Sequence, residues 1–337
     1  MRFGTGVVIG KFLPPHRGHR LLIETAIGAS EQVTVIVCGK PSDPIPAELR
    51  GVWLQEIHPT ARVMVIDDRY DENDSQVWAE NTMQWLGRAP DAVFTSESYG
   101  DRYAGFMGSV HVNVDQRRER VPISGTAVRS DPYANWEYLE PPVRGWFAKR
   151  VCVLGAESTG TTTLACDLAR AFQTEWVEEY GREYSVTKMA SGEAWRTDEF
   201  PVIAREQTRR EDAAARRANR VLICDTNAFA TALWHRRYVG GTNSELDSIA
   251  QQVRCDLYLL TGDEIPFVQD GLRDGEHIRH QMHGWFVEAL DRQSVPWRLV
   301  QGSQAERLRQ GRIQISSLFT DSSWMPGAAF PGTAWRL

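Results

Sequence analysis

The chain has 337 residues, more than one hydrophobic core usually organises, so two domains are the starting expectation. With 42% hydrophobic and 24% charged residues it is too apolar for a disordered chain, and no apolar run approaches the length of a membrane span, so no membrane partner is expected. A net charge of -6 argues against nucleic acid as a partner, and five scattered cysteines without metal-type spacing, behind no secretory signal, fit reduced cytoplasmic thiols.

Strand-like runs occupy residues 6–9, 33–38, 62–66, 92–95 and 110–114, with helical character clearest over 49–57 and 76–86. This alternation predicts an open, mostly parallel α/β sheet covered by helices. The first strand runs into Gly10-Lys11-Phe12-Leu13-Pro14-Pro15-His16-Arg17-Gly18-His19, and Leu21, Leu22, Thr25, Ala26 and Ala29 then repeat with helical spacing. Two histidines three residues apart thus sit at a strand-to-helix turn, beside Lys11 and Arg17. The helix start there presents free N–H groups suited to phosphate. Ile123-Ser124-Gly125-Thr126-Ala127-Val128-Arg129 supplies hydroxyls at a second helix start, with Arg129 on the face of Thr126. Residues 131–149, broken by Pro132, Pro141, Pro142 and Gly145, read as a linker or docking segment.

A second α/β cycle has strand-like runs at 151–154, 176–177, 221–224, 257–260 and 297–300. Its first strand leads into Gly155-Ala156-Glu157-Ser158-Thr159-Gly160-Thr161-Thr162 and a helix with Leu164, Ala165, Leu168, Ala169 and Phe172 on one stripe. That is the context of a phosphate-wrapping P-loop, with Thr162 placed for Mg2+ and Thr161 where lysine normally stands. Asp225 follows the strand at 221–224 and is a second candidate for Mg2+. Lys149 and Arg150 lie at the far end of the first strand, whereas Lys188, Arg273 and Arg279 are better placed to replace the missing lysine. The run 205–220 reads as a solvated charged helix. Residues 316–337 read as a flexible tail in which Trp324, Phe330 and Trp335 are free to dock.

The His-x-Gly-His turn and the Ile-Ser-x-Thr-x-x-Arg segment resemble the two signatures of the nucleotidylyltransferase superfamily. Together with the P-loop half, the chain resembles the NadR family over residues 4–312: an NMN adenylyltransferase joined to a ribosylnicotinamide kinase. The resemblance implies two doubly wound parallel-sheet domains: a Rossmann-like nucleotidylyltransferase at 1–130, then a P-loop kinase-like domain at 150–315 after the linker.

In the first domain the resemblance implies catalytic roles for His16, His19, Lys11 and Arg129. Gly10, Phe12, Gly18, Ser124 and Thr126 would bind ATP, and Trp78 would stack on the pyridinium of NMN. Residues 95–100 resemble the loop that touches the nucleotide. In the second domain Gly155, Glu157, Ser158, Gly160, Thr161 and Thr162 would form the P-loop. Asp225, Glu179, Arg182, Arg273 and Arg279 are the kinase candidates, with one carboxylate of the run Glu178-Glu179-Tyr180-Gly181-Arg182-Glu183 as general base. Asp225-Thr226-Asn227 departs from the family's Asp-Thr-Asp at Asn227. Mg2+ is the implied cofactor. ATP, NMN, NAD and nicotinamide riboside are the implied ligands, and association into a homo-oligomer is left open. Because the chain opens directly on the first strand, the helix-turn-helix of enterobacterial relatives is not expected. Two alternatives stand beside this reading: transfer to another phosphate, such as phosphopantetheine, and a P-loop domain that only binds or senses nucleotide.

Overall fold

The computed structural model describes residues 2–269 and 275–320. The chain divides into two compact units, Met1–Val143 and Arg144–Leu337. The first runs β1 (Phe3–Gly10), α1 (Arg17–Ala29), β2 (Ser30–Gly39), α2 (Ala47–Ile57), β3 (Arg62–Asp67), α3 (Ser75–Leu86), β4 (Ala92–Thr95), α4 (Gly100–Met107), β5 (Val110–Asn113) and α5 (Gly125–Ser130), with α6 (Pro141–Phe147) spanning the division. The second runs β6 (Lys149–Leu154), α7 (Thr161–Phe172), β7 (Trp176–Val177), α8 (Tyr180–Ser191), α9 (Glu199–Ala215), β8 (Val221–Asp225), α10 (Ala228–Tyr238), α11 (Ser244–Gln251), β9 (Leu257–Thr261), α12 (Arg279–Asp291), β10 (Trp297–Val300) and α13 (Gln304–Ser317).

Each unit holds one five-stranded sheet, ordered β3-β2-β1-β4-β5 in the first and β10-β9-β6-β8-β7 in the second. Every named strand pair is parallel. Parallel strands are covered on both faces, which is why they read as continuous apolar runs. Side chains alternate between the two covers. Val8, Val35, Val37 and Phe94 pack with Leu22 and Ile23 of α1 and Leu54 of α2. Their neighbours Val7, Ile36 and Val93 pack with Ala79 of α3 and with Tyr103 and Met107 of α4. In the second unit Val151, Val153, Ile223 and Leu259 bury the predicted stripe of α7 together with Ile315 of α13. In both sheets the first strand of the unit is flanked by later strands on opposite sides. Its carboxyl end is therefore the switch point where ligands of open α/β sheets bind.

Three segments differ from their sequence readings. Residues 131–149 carry a 3-10 turn at Trp136–Tyr138 and then α6, with Trp136, Leu139 and Val143 buried. Pro141 and Pro142 open that helix, at first-turn positions where a missing N–H does no harm. Arg20 of α1 pairs with Glu140 at 3.2 Å, which ties the segment to the first unit. The run 205–220 is not a solvated helix throughout: α9 ends at Ala215 and buries Gln207, Glu211, Ala214 and Ala215. The supposed tail begins inside α13, whose Ile315 is fully buried, and Leu318 and Phe319 pack on the same core. Trp324, Phe330 and Trp335 lie outside the described residues.

Candidate active sites

The turn after β1 opens on a cavity of about 650 Å³ lined by Gly10, Lys11, Phe12, His16, Gly18, His19, Trp78, Ser124, Thr126 and Arg129. Residues predicted from places 119 positions apart thus share one wall system. His16 caps α1: its Nδ1 accepts the N–H of Gly18 at 3.1 Å. A ring nitrogen that accepts carries no proton, so in the neutral ring the proton sits on Nε2. That Nε2 is buried without a hydrogen-bond partner, as is Nδ1 of His19. The two imidazoles stack with centroids 3.7 Å apart, and Phe12 meets His19 edge-on at 5.0 Å. Burial, and then the charges of Arg118 and Arg129, push His16 down to about 4. The same causes, with His16 itself, hold His19 well below the usual range. Both rings are therefore neutral donors or acceptors at physiological pH.

Two glycines make this possible sterically. A Cβ on Gly18 would stand 2.9 Å from the His16 ring, and one on Gly125 would stand 3.2 Å from the Arg129 guanidinium. Arg129 is held by Leu13 O at 2.6 Å and Thr126 Oγ1 at 3.1 Å, and Ser124 caps α5 through Ala127 N at 3.1 Å. Phe12 is 2% exposed and meets the His19 ring edge-on at the cavity wall. Trp78 is half-buried on the cavity wall with its indole N–H on Asp71 O at 2.9 Å; Trp85 is half-buried on the same apolar cluster but does not line the cavity.

In the first unit two arginines escaped the sequence reading. Arg118 lines the cavity and charges the surroundings of both histidines. Its loop is shaped by the Asp115 carboxylate, which accepts the N–H groups of Glu119, Arg120 and Val121 at 2.9–3.0 Å. Arg50 is fully buried and donates to Lys11 O, to Cys38 O at 3.1 Å and to Asp43 at 2.6 Å, so it clamps the ends of β1 and β2.

In the second unit a cavity of about 150 Å³ is lined by Gly155, Glu157, Ser158, Gly160, Thr161, Thr162, Glu179, Arg182 and Asp225. The loop is held by its own side chains. Thr159 Oγ1 bridges Ala156 O and Thr261 Oγ1, both at 2.7 Å, at a point where a Cβ on Gly155 would collide with both hydroxyls. Gly160 takes φ +82°, a value glycine adopts without strain, where the loop turns into α7. Thr162 Oγ1 donates to Asp225 Oδ2 at 2.5 Å, and Asp225 Oδ1 is buried without a hydrogen-bond partner. Burial, and then neighbouring negative charge, raises both Asp225 and Glu179 above the usual carboxylate range. Glu179 lines the cavity while Glu178 and Glu183 are exposed, which separates the three carboxylates the sequence left open.

The cations expected to replace the P-loop lysine fall out differently. Lys149 pairs with Asp256 at 3.0 Å and Arg150 with Asp212 at 2.7 Å, as their distant position requires. Lys188 is buried against Glu199 at 2.8 Å and does not line the cavity. Arg279 is 6% exposed, not solvated, and donates to Ser158 O at 3.1 Å, which makes it a brace of the loop. Arg307, missed from sequence, braces it too, through Thr159 O at 2.5 Å and Gly262 O at 3.1 Å. Arg273 lies outside the described residues. Asn227 is a helix cap: its side chain accepts from Ala230 N and donates to Tyr258 OH at 3.3 Å. Trp195, Phe200, Trp234 and Tyr238 form an aromatic wall, with Trp195 and Tyr238 stacked at 5.2 Å.

These features define a two-unit α/β protein with one cavity at each sheet's switch point, the second beside a P-loop. Residues 150–307 match a family model described as an AAA domain. The chain is homologous to the NadR proteins. It is 29% identical over 86% of its length to the trifunctional NAD biosynthesis/regulator protein NadR of Escherichia coli, covering 77% of that protein. The NadR of Salmonella typhimurium matches with the same identity and coverage. Among solved structures, a NadR protein in complex with NR superposes with a TM-score of 0.76 at 20% identity, covering 94% of this chain and 96% of that one. A NadR protein with NAD and AMP-PNP superposes with 0.71 at the same identity and coverage. No helix among the described residues is long and apolar enough to cross a membrane.

Proposed function

We propose that the first unit joins ATP and nicotinamide mononucleotide into NAD and pyrophosphate. The observation that carries this is the neutral His16, whose Nε2–H is buried, unpartnered and set in a cavity with Arg118, Arg129 and Lys11. An unpaired buried donor is costly unless a ligand supplies the acceptor. A phosphate oxygen of NMN attacks the α-phosphorus of ATP; a new P–O–P linkage forms and the bond to the β-phosphate bridge breaks. NMN phosphate needs no base, so the protein's work is alignment and stabilisation of the leaving pyrophosphate. Trp78 offers the ring on which a pyridinium would stack.

The second unit, in this reading, phosphorylates nicotinamide riboside. Its aromatic wall suits a cationic ring, and Glu179 takes the proton of the 5′-hydroxyl as that oxygen attacks the γ-phosphorus and ADP leaves. Mg2+ fits Thr162 and the orphaned Asp225 Oδ1, a hydroxyl and a hard oxygen donor that substrate phosphates would complete. When bound, the ion neutralises charge on the transferring phosphates. Thr161 in place of lysine favours a second reading, in which this unit binds nucleotide without transferring phosphate.

Paired assays with Mg-ATP test both halves: NMN to NAD, and riboside to NMN. Because Glu179 must be ionised to act and its folded pKa is raised, riboside phosphorylation is expected to rise with pH through the neutral range. Glu179→Gln should remove that slope and lower kcat by about 10²–10⁴-fold. An intact protein that makes no NAD overturns the first assignment.

A further inference from the structure

The chain has four lysines, and two stand in the first unit: Lys11 lines the cavity, and Lys40 lies beside Asp68 and Glu72, which line it too. Each follows the end of one of two neighbouring strands, β1 and β2, which pair at Gly10 and Val37. Arg50 fixes those ends through Lys11 O and Cys38 O. One carboxylate, Glu72 in the connection from β3 to α3, serves both ammonium groups: it pairs with Lys11 and lies 3.6 Å from Lys40. Asp68 holds Lys40 from behind at 3.8 Å.

We propose that Lys11 and Lys40 form the seat for the phosphate monoester of the mononucleotide substrate, and that Glu72 fills this seat as an internal counter-ion until the substrate displaces it. The proposal rests on the adenylyltransferase reading. Glu72 is dispensable for the shape of its own loop. Tyr70 OH bonds Asn81 at 2.9 Å, Trp78 Nε1 bonds Asp71 O at 2.9 Å, and Asp74 caps α3 through Val77 N at 3.0 Å. What Glu72 does satisfy is two positive charges, and Lys11, followed by Lys40, holds its carboxyl below the usual range. The pairs are exposed, 45% for Lys11, 39% for Lys40 and 55% for Glu72, and exposed ion pairs are weak enough to exchange. Lysine suits such exchange because its ammonium is a point charge, where arginine would lock in a bidentate fork. When Glu72 leaves, Asp68 keeps Lys40 in place.

The loop that carries Glu72 also carries the N-terminal anchor of α3 and, one turn on, Trp78. A ring on Trp78 and a phosphate in the place of the Glu72 carboxylate would thus lie along one short segment, whereas His16 caps α1, His19 lies in it and Arg129 belongs to α5. This assigns the lysine seat to the attacking phosphate and the histidines to the triphosphate. Glu72 would also keep small anions off the seat, which favours a ligand that brings a ring to Trp78 as well.

The test uses the full chain, with KM for NMN and for ATP in NAD formation and calorimetric titration of NMN. Lys40→Ala is expected to raise the KM and Kd for NMN by about tenfold or more, the loss of one charge-assisted contact, with the KM for ATP little changed. Lys40→Arg should restore part of the binding. Glu72→Gln is expected to lower the KM and Kd for NMN by about two- to fivefold, the weight of an exposed pair. Unchanged NMN binding in Glu72→Gln, or a Lys40→Ala defect that falls on ATP, overturns the proposal. A wild-type chain that forms no NAD would instead overturn the adenylyltransferase reading, while the titrations would still judge the seat.

Discussion

His16→Asn is expected to lower kcat for NAD formation by about 10²–10³-fold, the usual weight of one preorganised oxyanion donor. KM values and thermal stability should change little. The choice of asparagine isolates the donor from the cap. An asparagine at this position can still accept the Gly18 N–H that His16 Nδ1 now accepts, so α1 keeps its start. What it lacks is the reach of Nε2–H, the atom that is buried and unpartnered. His16→Ala would lose both and would confuse a folding defect with a catalytic one. A drop in kcat at constant melting temperature places the role in the transition state. Full kcat in His16→Asn, with activity and stability lost together in His16→Ala, would show that the ring only caps the helix.

The same geometry fixes a pH dependence. The folded pKa of His16 is about 4, below its ordinary value of 6.5, so between these values the unfolded chain binds more protons than the folded one. The His16 contribution to stability therefore rises with pH across that window and is flat above it. His58, held at about 4 by burial, adds to the loss on the acid side. Above pH 6.5 neither ring titrates in the free protein, so kcat/KM for NAD formation owes no slope to His16 between pH 7 and 8.

Much of this was readable beforehand because doubly covered parallel strands bury both faces. The strand starting at Trp176 and the one at Ala92 have the predicted bounds, and β1 and β2 each extend three residues further at the start and one at the end. The histidine turn and the P-loop were legible because glycine spacing and polar residues occur where apolar runs stop. Arg118 was not. It sits in a polar stretch that looks solvated, and only the Asp115 carboxylate, gathering three backbone N–H groups, turns it inward. Nor was the inner face of α9 visible. Its charged run hides Gln207 and Glu211, four residues apart, where Gln207 accepts the N–H of Tyr180 at 2.9 Å. Trp195 precedes α9, whereas Trp234 and Tyr238 lie one turn apart on α10, and only tertiary packing joins the two segments. Asn227 read as a damaged motif because its cap and its bond to Tyr258, 31 positions on, cannot be seen in the local pattern.

Thr161→Lys is expected to raise riboside phosphorylation by about tenfold or more and to lower the KM for ATP. A charged hydrogen bond to a phosphate contributes roughly 1.5–3 kcal/mol, which is tenfold to more than a hundredfold in rate when it acts on the transition state. The position is ready for it. Thr161 is the first residue of α7 after Gly160 and already lines the cavity. Among the described cations, Lys188, Arg279 and Arg307 are committed to Glu199 or to loop carbonyls. The substitution has a cost, because the Thr161 hydroxyl helps hold the Asp225 carboxylate. An ammonium beside Asp225 and Glu179 would more than offset it, since an opposite charge favours the ionised form of both raised carboxylates. The rise of phosphorylation with pH should then shift toward lower pH along with the gain in rate. A gain with that shift would mean that the loop is a kinase site weakened by one missing charge. If ATP binding tightens while no phosphate reaches the riboside, the lysine was not the limiting part, and the second unit is a nucleotide-binding module.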